Sequence, residues 1–175
     1  MDEFDDEYAA ELGEPVSAID IEALLSDRIT TLLPADPICL PPTATVHEAV
    51  NRMLARRHSG VLVVDGAGRL AGIFTERDVL TRVVGRGLDP RSTSLDGVMT
   101  AKPEALFLEH RVAYAVHCMS VAGYRTIPLV DREHRPIGIV TVTDFIRWLA
   151  NLFPEAILNL PPGDRLKNPG EIDAG

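Results

Sequence analysis

Hydrophobic and polar positions between residues 45 and 88 follow two different periods. From Val46 the apolar residues recur at helical spacing, and Thr45 with Glu48 forms a capping-box pattern where this helix begins. The runs VLVVD and RLAGIF then flank a glycine-containing turn, which predicts a β-hairpin. Helical spacing resumes at Thr75 and stops at two glycines. The predicted order is helix, strand, strand, helix.

The same pattern occurs a second time at an offset of 66 residues. Over the 35 pairs that start at Val46 and Val112, eleven residues are identical, where chance would give roughly two or three. The segment is therefore duplicated. A hairpin with one helix on either side covers its own sheet poorly, so we expect the two copies to pack sheet against sheet in one α/β unit.

In the second copy the elements are a helix near residues 111–121, the strands TIPLV and IGIV, and a helix from Val142 to about Leu152. Pro128 in the first of these strands favours an edge position, because proline has no N–H for a sheet ladder.

The chain divides into four predicted segments. Residues 1–16 form an acidic disordered tail, and residues 17–88 hold an amphipathic lead-in helix (Ser17 to about Leu33) and the first repeat. Residues 89–153 hold the second repeat, and residues 154–175 form a C-terminal extension that we expect to be partly disordered.

Composition narrows the class of protein. With 46% hydrophobic and 25% charged residues, the 175-residue chain is typical of a globular protein. No apolar run reaches the roughly 18 residues of a membrane span, and the N-terminus is acidic where a signal peptide is basic. We therefore expect a cytoplasmic protein without a membrane partner.

Charge and motifs exclude further classes. Seven acids of the first fifteen residues account for most of the net charge of −9, and without a basic stripe nucleic acid is not an expected partner. Cys39 and Cys118 stand outside any CxxC pair, so we expect two buried thiols and neither a disulfide framework nor a metal site. No nucleophile elbow or phosphate-binding glycine loop is present, so no catalytic residues are predicted.

The repeated element with chemical content is Thr-x-x-Asp, in GIFTERD (72–78) and GIVTVTD (138–144), where a strand runs into a helix. The threonine can cap free N–H groups, and the aspartate on the same face can accept hydrogen bonds, for example from a ribose diol. A single occurrence is usually only a capping box.

The repeated unit resembles the CBS domain family, whose repeats run helix, GVLVVD-like strand, G-x-L-x-G-I strand, T-x-x-D and helix. The resemblance covers about residues 28–150 and implies a tandem CBS pair, or Bateman module, of the stand-alone bacterial type. It implies an α/β (α+β) fold of two short sheets, each flanked by helices and packed with pseudo-two-fold symmetry.

The resemblance also implies the site. In ligand-binding members, the Asp of the motif takes the ribose hydroxyls and the Thr lies beside the ribose or phosphate. These roles would pass to Thr75, Asp78, Thr141 and Asp144. The base is held between apolar side chains, which by resemblance are Ile38, Val61 and Ile73 in one site and Ala105, Ile127 and Ile139 in the other.

Phosphates would need cations beside these motifs. The candidates are Arg57, His58, Arg77 and Arg125, of which Arg125 and His58 rank highest. Arg57 ends a helix, where a cation is favourable without any ligand. The second copy has Thr143 in place of Arg77, so the two sites are expected to differ in affinity.

Our leading hypothesis is a regulatory module in which AMP, ADP or ATP enters the cleft between the repeats and a partner protein in trans reads the change. By resemblance we expect a homodimer through helix faces around Val112, Val116, Phe145, Ile146 and Trp148. The alternative is a ligand-free homodimeric interaction scaffold, and a stand-alone enzyme is the weakest hypothesis, with no catalytic cofactor expected. A cyclic dinucleotide or S-adenosylmethionine in place of AMP, the number of occupied sites and the role of residues 154–162 stay open.

Overall fold

The computed structural model describes residues 26–152, which form two halves of the same element order. In chain order the elements are β1 (Cys39–Leu40), α1 (Val46–Arg56), β2 (Gly60–Val64), β3 (Leu70–Thr75), α2, β4 (Thr100–Ala101), α3 (Val112–Val121), β5 (Thr126–Val130), β6 (Pro136–Thr141) and α4 (Val142–Leu152). Helix α2 consists of an α-helical turn (Glu76–Asp78), a π-helical segment (Val79–Val83) and a 3-10 turn (Val84–Arg86). The predicted α/β fold of two repeats is confirmed.

The helix ends follow the local sequence signals. Helix α1 begins after Thr45, whose hydroxyl accepts a hydrogen bond from the Glu48 N–H at 3.1 Å. It ends at Arg57, which has a positive φ of 53°. Helix α2 ends at Gly87 with φ 65°, a conformation that glycine adopts without steric cost.

The hairpins are the centre of each sheet. In the first sheet the order is β1-β2-β3-β4, with β1 parallel to β2 and the other pairs antiparallel. Strands β5 and β6 form the second hairpin, and isolated bridges at Leu106–Leu129 and Ala35–Ile139 take the positions that β1 and β4 hold in the first sheet. Pro128 lies in β5, an edge of the two-stranded hairpin, but its carbonyl accepts a hydrogen bond from the Leu106 N–H at 2.9 Å, so the bridging segment flanks this strand.

Three buried clusters hold the halves together. One lies between the first hairpin and its helices and contains Phe74, and a second lies between the second hairpin and its helices and contains Leu129. A third fills the space between the two sheets. Its buried members are Leu62, Leu70, Ile73, Val130 and Ile139. The repeats therefore pack sheet against sheet, as predicted.

The N-terminal segment of each repeat, residues 29–32 in the first and 95–98 in the second, packs on the other repeat. Ile29 and Leu32 belong to the core of the second half, whereas Leu95 and Val98, which follow them by 66 residues, belong to the core of the first. The backbone repeats this exchange, since Arg28 bridges Arg111 and Ser94 bridges Thr45. The two halves are thus joined by a reciprocal exchange, which gives the pair its pseudo-two-fold symmetry.

Three expectations need correction or fall outside these residues. The lead-in segment is a 3-10 turn over Ile29–Leu32 rather than an α-helix up to Leu33, because the extended Arg28 bridges Arg111. Cys39 is exposed, because it faces outward on a short edge strand, whereas Cys118 is buried as expected. Residues 17–25 of the lead-in helix and both expected disordered segments lie outside the described residues.

Candidate functional site

Each Thr-x-x-Asp motif closes on itself at a strand-to-helix junction. One carboxylate oxygen of Asp78, Oδ2, accepts hydrogen bonds from the N–H of Thr75 at 2.9 Å and from its hydroxyl at 2.8 Å. Asp144 repeats this arrangement with Thr141 at 2.8 Å and 2.7 Å. Both motifs are therefore capping boxes that fix the threonine and aspartate side chains against each other.

The second oxygen of each carboxylate pairs with an arginine. Oδ1 of Asp78 lies 3.2 Å from Nε of Arg82, and Oδ1 of Asp144 lies 3.0 Å from Nη1 of Arg147. The two aspartate side chains are similarly shielded, at 11% and 12% exposure, but Arg82 is 34% exposed and Arg147 is 64% exposed. The first junction thus has the less exposed ion pair.

The two junctions lie at the same end of the pair. Gly60 pairs with Thr75 across the first hairpin, and Thr126 pairs with Thr141 across the second. The hydroxyls of Ser59 and Thr126 meet at 3.0 Å, a contact between the repeats. The Ser59 carbonyl also accepts a hydrogen bond from the N–H of Glu76, the first residue of α2. The structure therefore gathers both motifs around one inter-repeat contact.

Three of the four candidate cations are available for an anion. The side chains of Arg57, Arg77 and Arg125 are exposed and form no hydrogen bond or ion pair with residues 26–152. Arg125 directly precedes Thr126, and its carbonyl accepts a hydrogen bond from the Val142 N–H at 3.1 Å. This placement beside the inter-repeat contact favours Arg125 as the phosphate partner.

Arg57 and His58 lie on the helix side of the first repeat. They line a groove of about 510 Å³ between α1 and α2, together with Glu76 and the apolar side chains of Val50, Met53, Leu54, Val79 and Leu80. The Nδ1 atom of His58 is buried and has no hydrogen-bond partner within residues 26–152. This groove forms within one repeat and not between the two, although Glu76 places it next to the first junction.

The apolar candidates do not separate into the two expected sets. Ile38 and Val61 are buried in the first core and Ile127 in the second, on the helix sides of the sheets. Ile73 and Ile139 pack with Ala105 in the single cluster between the sheets. Side chains therefore fill the middle of the space between the two sheets.

Two features of the site, the Ser59–Thr126 contact and Arg82, were not predicted from the sequence. The Ser59–Thr126 contact joins residues that are not related by the 66-residue offset, so comparing the chain with itself could not find it. Arg82 is likewise hidden, because Trp148 holds the matching place in the second copy. Its four-residue spacing from Asp78 on a predicted helix was the available signal.

No group of three or more His, Cys, Asp or Glu side chains within residues 26–152 is arranged to hold a metal ion. In the same part of the chain, no helix has the length and apolar character that a bilayer crossing requires.

Both repeats match a known protein family. The model of the CBS domain matches residues 29–85 and again residues 95–151. The chain belongs to the CBS domain family. The two matched regions coincide with the two halves of the structure, so residues 29–151 are a tandem CBS pair.

Relatives of this CBS pair occur in larger proteins. The meiotically up-regulated gene 70 protein of Schizosaccharomyces pombe is 32% identical over 136 residues, which are 78% of this chain and 18% of that protein. The chain spans 18% to 28% of the length of the first curated relatives that it matches.

Solved structures show the same fold. The CBS-domain containing protein ATU1752 from Agrobacterium tumefaciens is 24% identical with a TM-score of 0.64, over 71% of this chain and 95% of that one. The CBS domain pair of protein MJ0100, in complex with 5′-methylthioadenosine and S-adenosyl-L-methionine, is 22% identical with a TM-score of 0.64, over 72% of this chain and 98% of that one. These likenesses confirm the architecture of the CBS pair.

Proposed function

We propose that this CBS pair is a regulatory module that binds an adenine nucleotide, AMP, ADP or ATP, at the end of the inter-repeat interface, and that a partner protein reads the resulting change. The observation that carries the proposal is the convergence of both Thr-x-x-Asp junctions on the Ser59–Thr126 contact, beside Arg125, whose side chain has no partner within residues 26–152. Carboxylates suit ribose hydroxyls, and a free guanidinium suits a phosphate.

The choice of an adenine ligand is supported by a protein of the same fold. Both ligands named for the MJ0100 pair, 5′-methylthioadenosine and S-adenosyl-L-methionine, contain adenosine. We extend to this chain only that shared part, an adenine base with a ribose. The unpaired arginines then favour a phosphate-bearing member of the class.

The site residues follow from this proposal. Asp78 and Asp144 accept the ribose hydroxyls, Thr75 and Thr141 lie beside the sugar, and Arg125 pairs with the phosphate. The second junction lacks a counterpart of Arg77, since Thr143 stands there. The two sites therefore have unequal affinities.

Assembly and location belong to the same proposal. Apolar side chains remain exposed on the helices of both repeats, among them Leu54 and Leu80 in the first and Val121 and Ile146 in the second. We propose that these faces form a homodimer, in the cytoplasm, with the effector as a separate protein. Val112 does not contribute to this face, because it is fully buried in the second core.

The test is isothermal titration of nucleotide-stripped protein with AMP and with ATP. We expect heat of binding for the wild type and its loss in the Asp78→Ala, Asp144→Ala double variant, because both diol acceptors are removed. The matched control is Asp65→Ala with Asp131→Ala. These aspartates are also related by the 66-residue offset, but they lie at the hairpin turns, at the other end of the strands. The control should bind nucleotide like the wild type.

Two results would count against this function. The function would be overturned if both nucleotides gave no heat of binding and no thermal stabilisation of the wild type. Binding that persists unchanged in the folded Asp78→Ala, Asp144→Ala variant would show that the nucleotide lies elsewhere.

A second candidate function rests on a specific observation. The Oδ2 atoms of both aspartates are already hydrogen-bonded within their own motifs, which is what a purely structural capping box requires. Together with the exposed apolar helix faces, this favours a ligand-free homodimeric scaffold. Wild-type protein that dimerises in sedimentation equilibrium but binds neither nucleotide would establish it.

A further inference from the structure

Arg82 connects the first junction to the N-terminal segment of the second repeat. Its Nε atom lies 3.2 Å from Oδ1 of Asp78. Its Nη1 atom donates hydrogen bonds to the carbonyls of Val98, at 3.1 Å, and Met99, at 2.6 Å. One partly shielded guanidinium therefore contacts both the candidate ligand carboxylate and the segment that leads into the second repeat.

The segment that Arg82 contacts is itself built into the first sheet. Val98 is buried in the first core. Met99 covers Gly72 so closely that a Cβ at position 72 would overlap its side chain. Strand β4 follows immediately and pairs with β3, the strand that ends at Thr75. A shift of residues 98–101 relative to Asp78 would therefore move the start of the second repeat relative to the first sheet.

The second junction has no such connection. Trp148 occupies the place of Arg82 and packs against the second core. Asp144 instead pairs with Arg147, whose side chain makes no other hydrogen bond or ion pair within residues 26–152. The helices differ at the same point, because α4 is α-helical throughout whereas α2 widens to a π-helix over Val79–Val83. A π-helical segment is uncommon and is often found at functional sites.

From this asymmetry we infer that Arg82 is a positioning residue that couples ligand binding at the first junction to the N-terminal segment of the second repeat. The inference rests on the proposed function, since it takes a ribose diol at Asp78 as the input. A diol that engages Asp78 must share the carboxylate with Arg82. The guanidinium then transmits the new carboxylate position to the carbonyls of Val98 and Met99. Coupling of this kind is reciprocal, so the state of the segment also sets the affinity of the first site.

The experiment measures amide hydrogen exchange of Met99 and Lys102, with and without AMP, alongside calorimetric affinity. The Met99 N–H donates to the Leu95 carbonyl and the Lys102 N–H to the Ala71 carbonyl, so both report on this segment. The variants are Arg82→Gln, Arg82→Lys and, as the matched control, Arg147→Gln at the second junction.

In wild type and in Arg147→Gln we expect AMP to slow exchange at these two amides. In Arg82→Gln we expect the AMP-dependent change to disappear and the affinity of the first site to fall by about 5- to 20-fold, within the range of ordinary coupling energies. Arg82→Lys keeps the charge and should restore part of the affinity, but its ammonium lacks the two separate nitrogens with which Arg82 contacts the carboxylate and the carbonyls. A merely structural role would leave the AMP-dependent change in place.

The outcomes separate this inference from the proposed function. If AMP binds and slows exchange equally in wild type and Arg82→Gln, the coupling is overturned while nucleotide binding stands. If AMP does not bind the wild type, the proposed function is overturned, and ligand binding at Asp78 can no longer be the event that Arg82 transmits. The connection itself is then judged on the apo proteins, where Asp78→Asn and Arg82→Gln should both speed exchange at Met99. Unchanged rates there would refute it.

Discussion

Two aspartates with the same local hydrogen bonds have different surroundings in this CBS pair. Asp78 and Asp144 are shielded to the same degree and cap their helices in the same way. The difference lies one turn further along, where Arg82 contacts backbone carbonyls and Arg147 is exposed. Identical motifs can therefore carry unequal energetic weight within one chain.

This difference predicts unequal losses of stability. Asp78→Ala leaves Arg82 without its carboxylate beside the segment 98–99, and we expect a loss of roughly 2 kcal/mol in the free energy of unfolding. Asp144→Ala removes a cap and an exposed ion pair, and we expect a loss of roughly 1 kcal/mol. Urea denaturation of the two variants measures both values. Equal losses would contradict a special role of Arg82.

The contacts that sequence predicted well are the local ones. Thr75 and Asp78 are three residues apart, so their hydrogen bonds follow from the geometry of a helix start. The Ser59–Thr126 contact spans 67 residues and depends on how the two sheets dock, which no local pattern specifies. The shared cluster of Ile73 and Ile139, which come from different repeats, depends on the same docking and has no local signal in the sequence.

Both hairpins have the same acidic turn. Asp65 Oδ1 accepts hydrogen bonds from the N–H groups of Ala67 and Arg69, each at 2.9 Å, and Asp131 Oδ1 accepts one from the Arg135 N–H at 2.8 Å. These backbone hydrogen bonds, with a smaller contribution from the arginine side chains, lower the pKa of both aspartates below the ordinary 3.8. The ionised carboxylate is therefore the form that stabilises each turn.

The lowered pKa values predict acid sensitivity of the hairpins. Because the folded pKa lies below the unfolded one, this stabilisation is complete above about pH 3.8 and is lost as the pH falls further. Asp65→Asn with Asp131→Asn keeps an acceptor oxygen but removes the titration. We expect its melting temperature to fall less between about pH 5 and pH 3 than that of the wild type. Asp36→Asn, which removes an exposed carboxylate outside the turns, serves as the control and should follow the wild type.

Element order could be predicted from the sequence, but the form of some helices could not. The hairpins and helices α1, α3 and α4 lie where the apolar periods place them. Helix α2 departs from the α-helical form over Val79–Val83, and residues Ile29–Leu32 form only a 3-10 turn. Both segments also make tertiary contacts that the helical period does not predict, through Arg82 in one and through the Arg28–Arg111 bridge in the other.

The exchange of leading segments determines how damage spreads through the whole pair. Ile29 belongs to the N-terminal segment of the first repeat but is fully buried in the core of the second. We expect Ile29→Ala to cost about 2–5 kcal/mol, the range for truncation of a large core side chain. Hydrogen exchange should then rise more in β5 and β6 than in β2 and β3.

The reciprocal variant provides the matched control. Leu95, which is also fully buried, belongs to the N-terminal segment of the second repeat but lies in the first core. Leu95→Ala should therefore raise exchange more in β2 and β3. If each variant instead raised hydrogen exchange mainly in the repeat to which it belongs in sequence, the crossing of the N-terminal segments would not contribute to stability.

The exchanged segments also give the molecule the connectivity of a domain-swapped dimer whose two subunits have been fused head to tail. The core of each repeat is completed by the N-terminal segment of the other repeat. Ile29 and Leu32 complete the second core, and Leu95 and Val98 complete the first. A protein cut between the repeats would yield two fragments that must find each other to become complete. We therefore expect the pair, and not a single repeat, to be the smallest part of this chain that folds on its own.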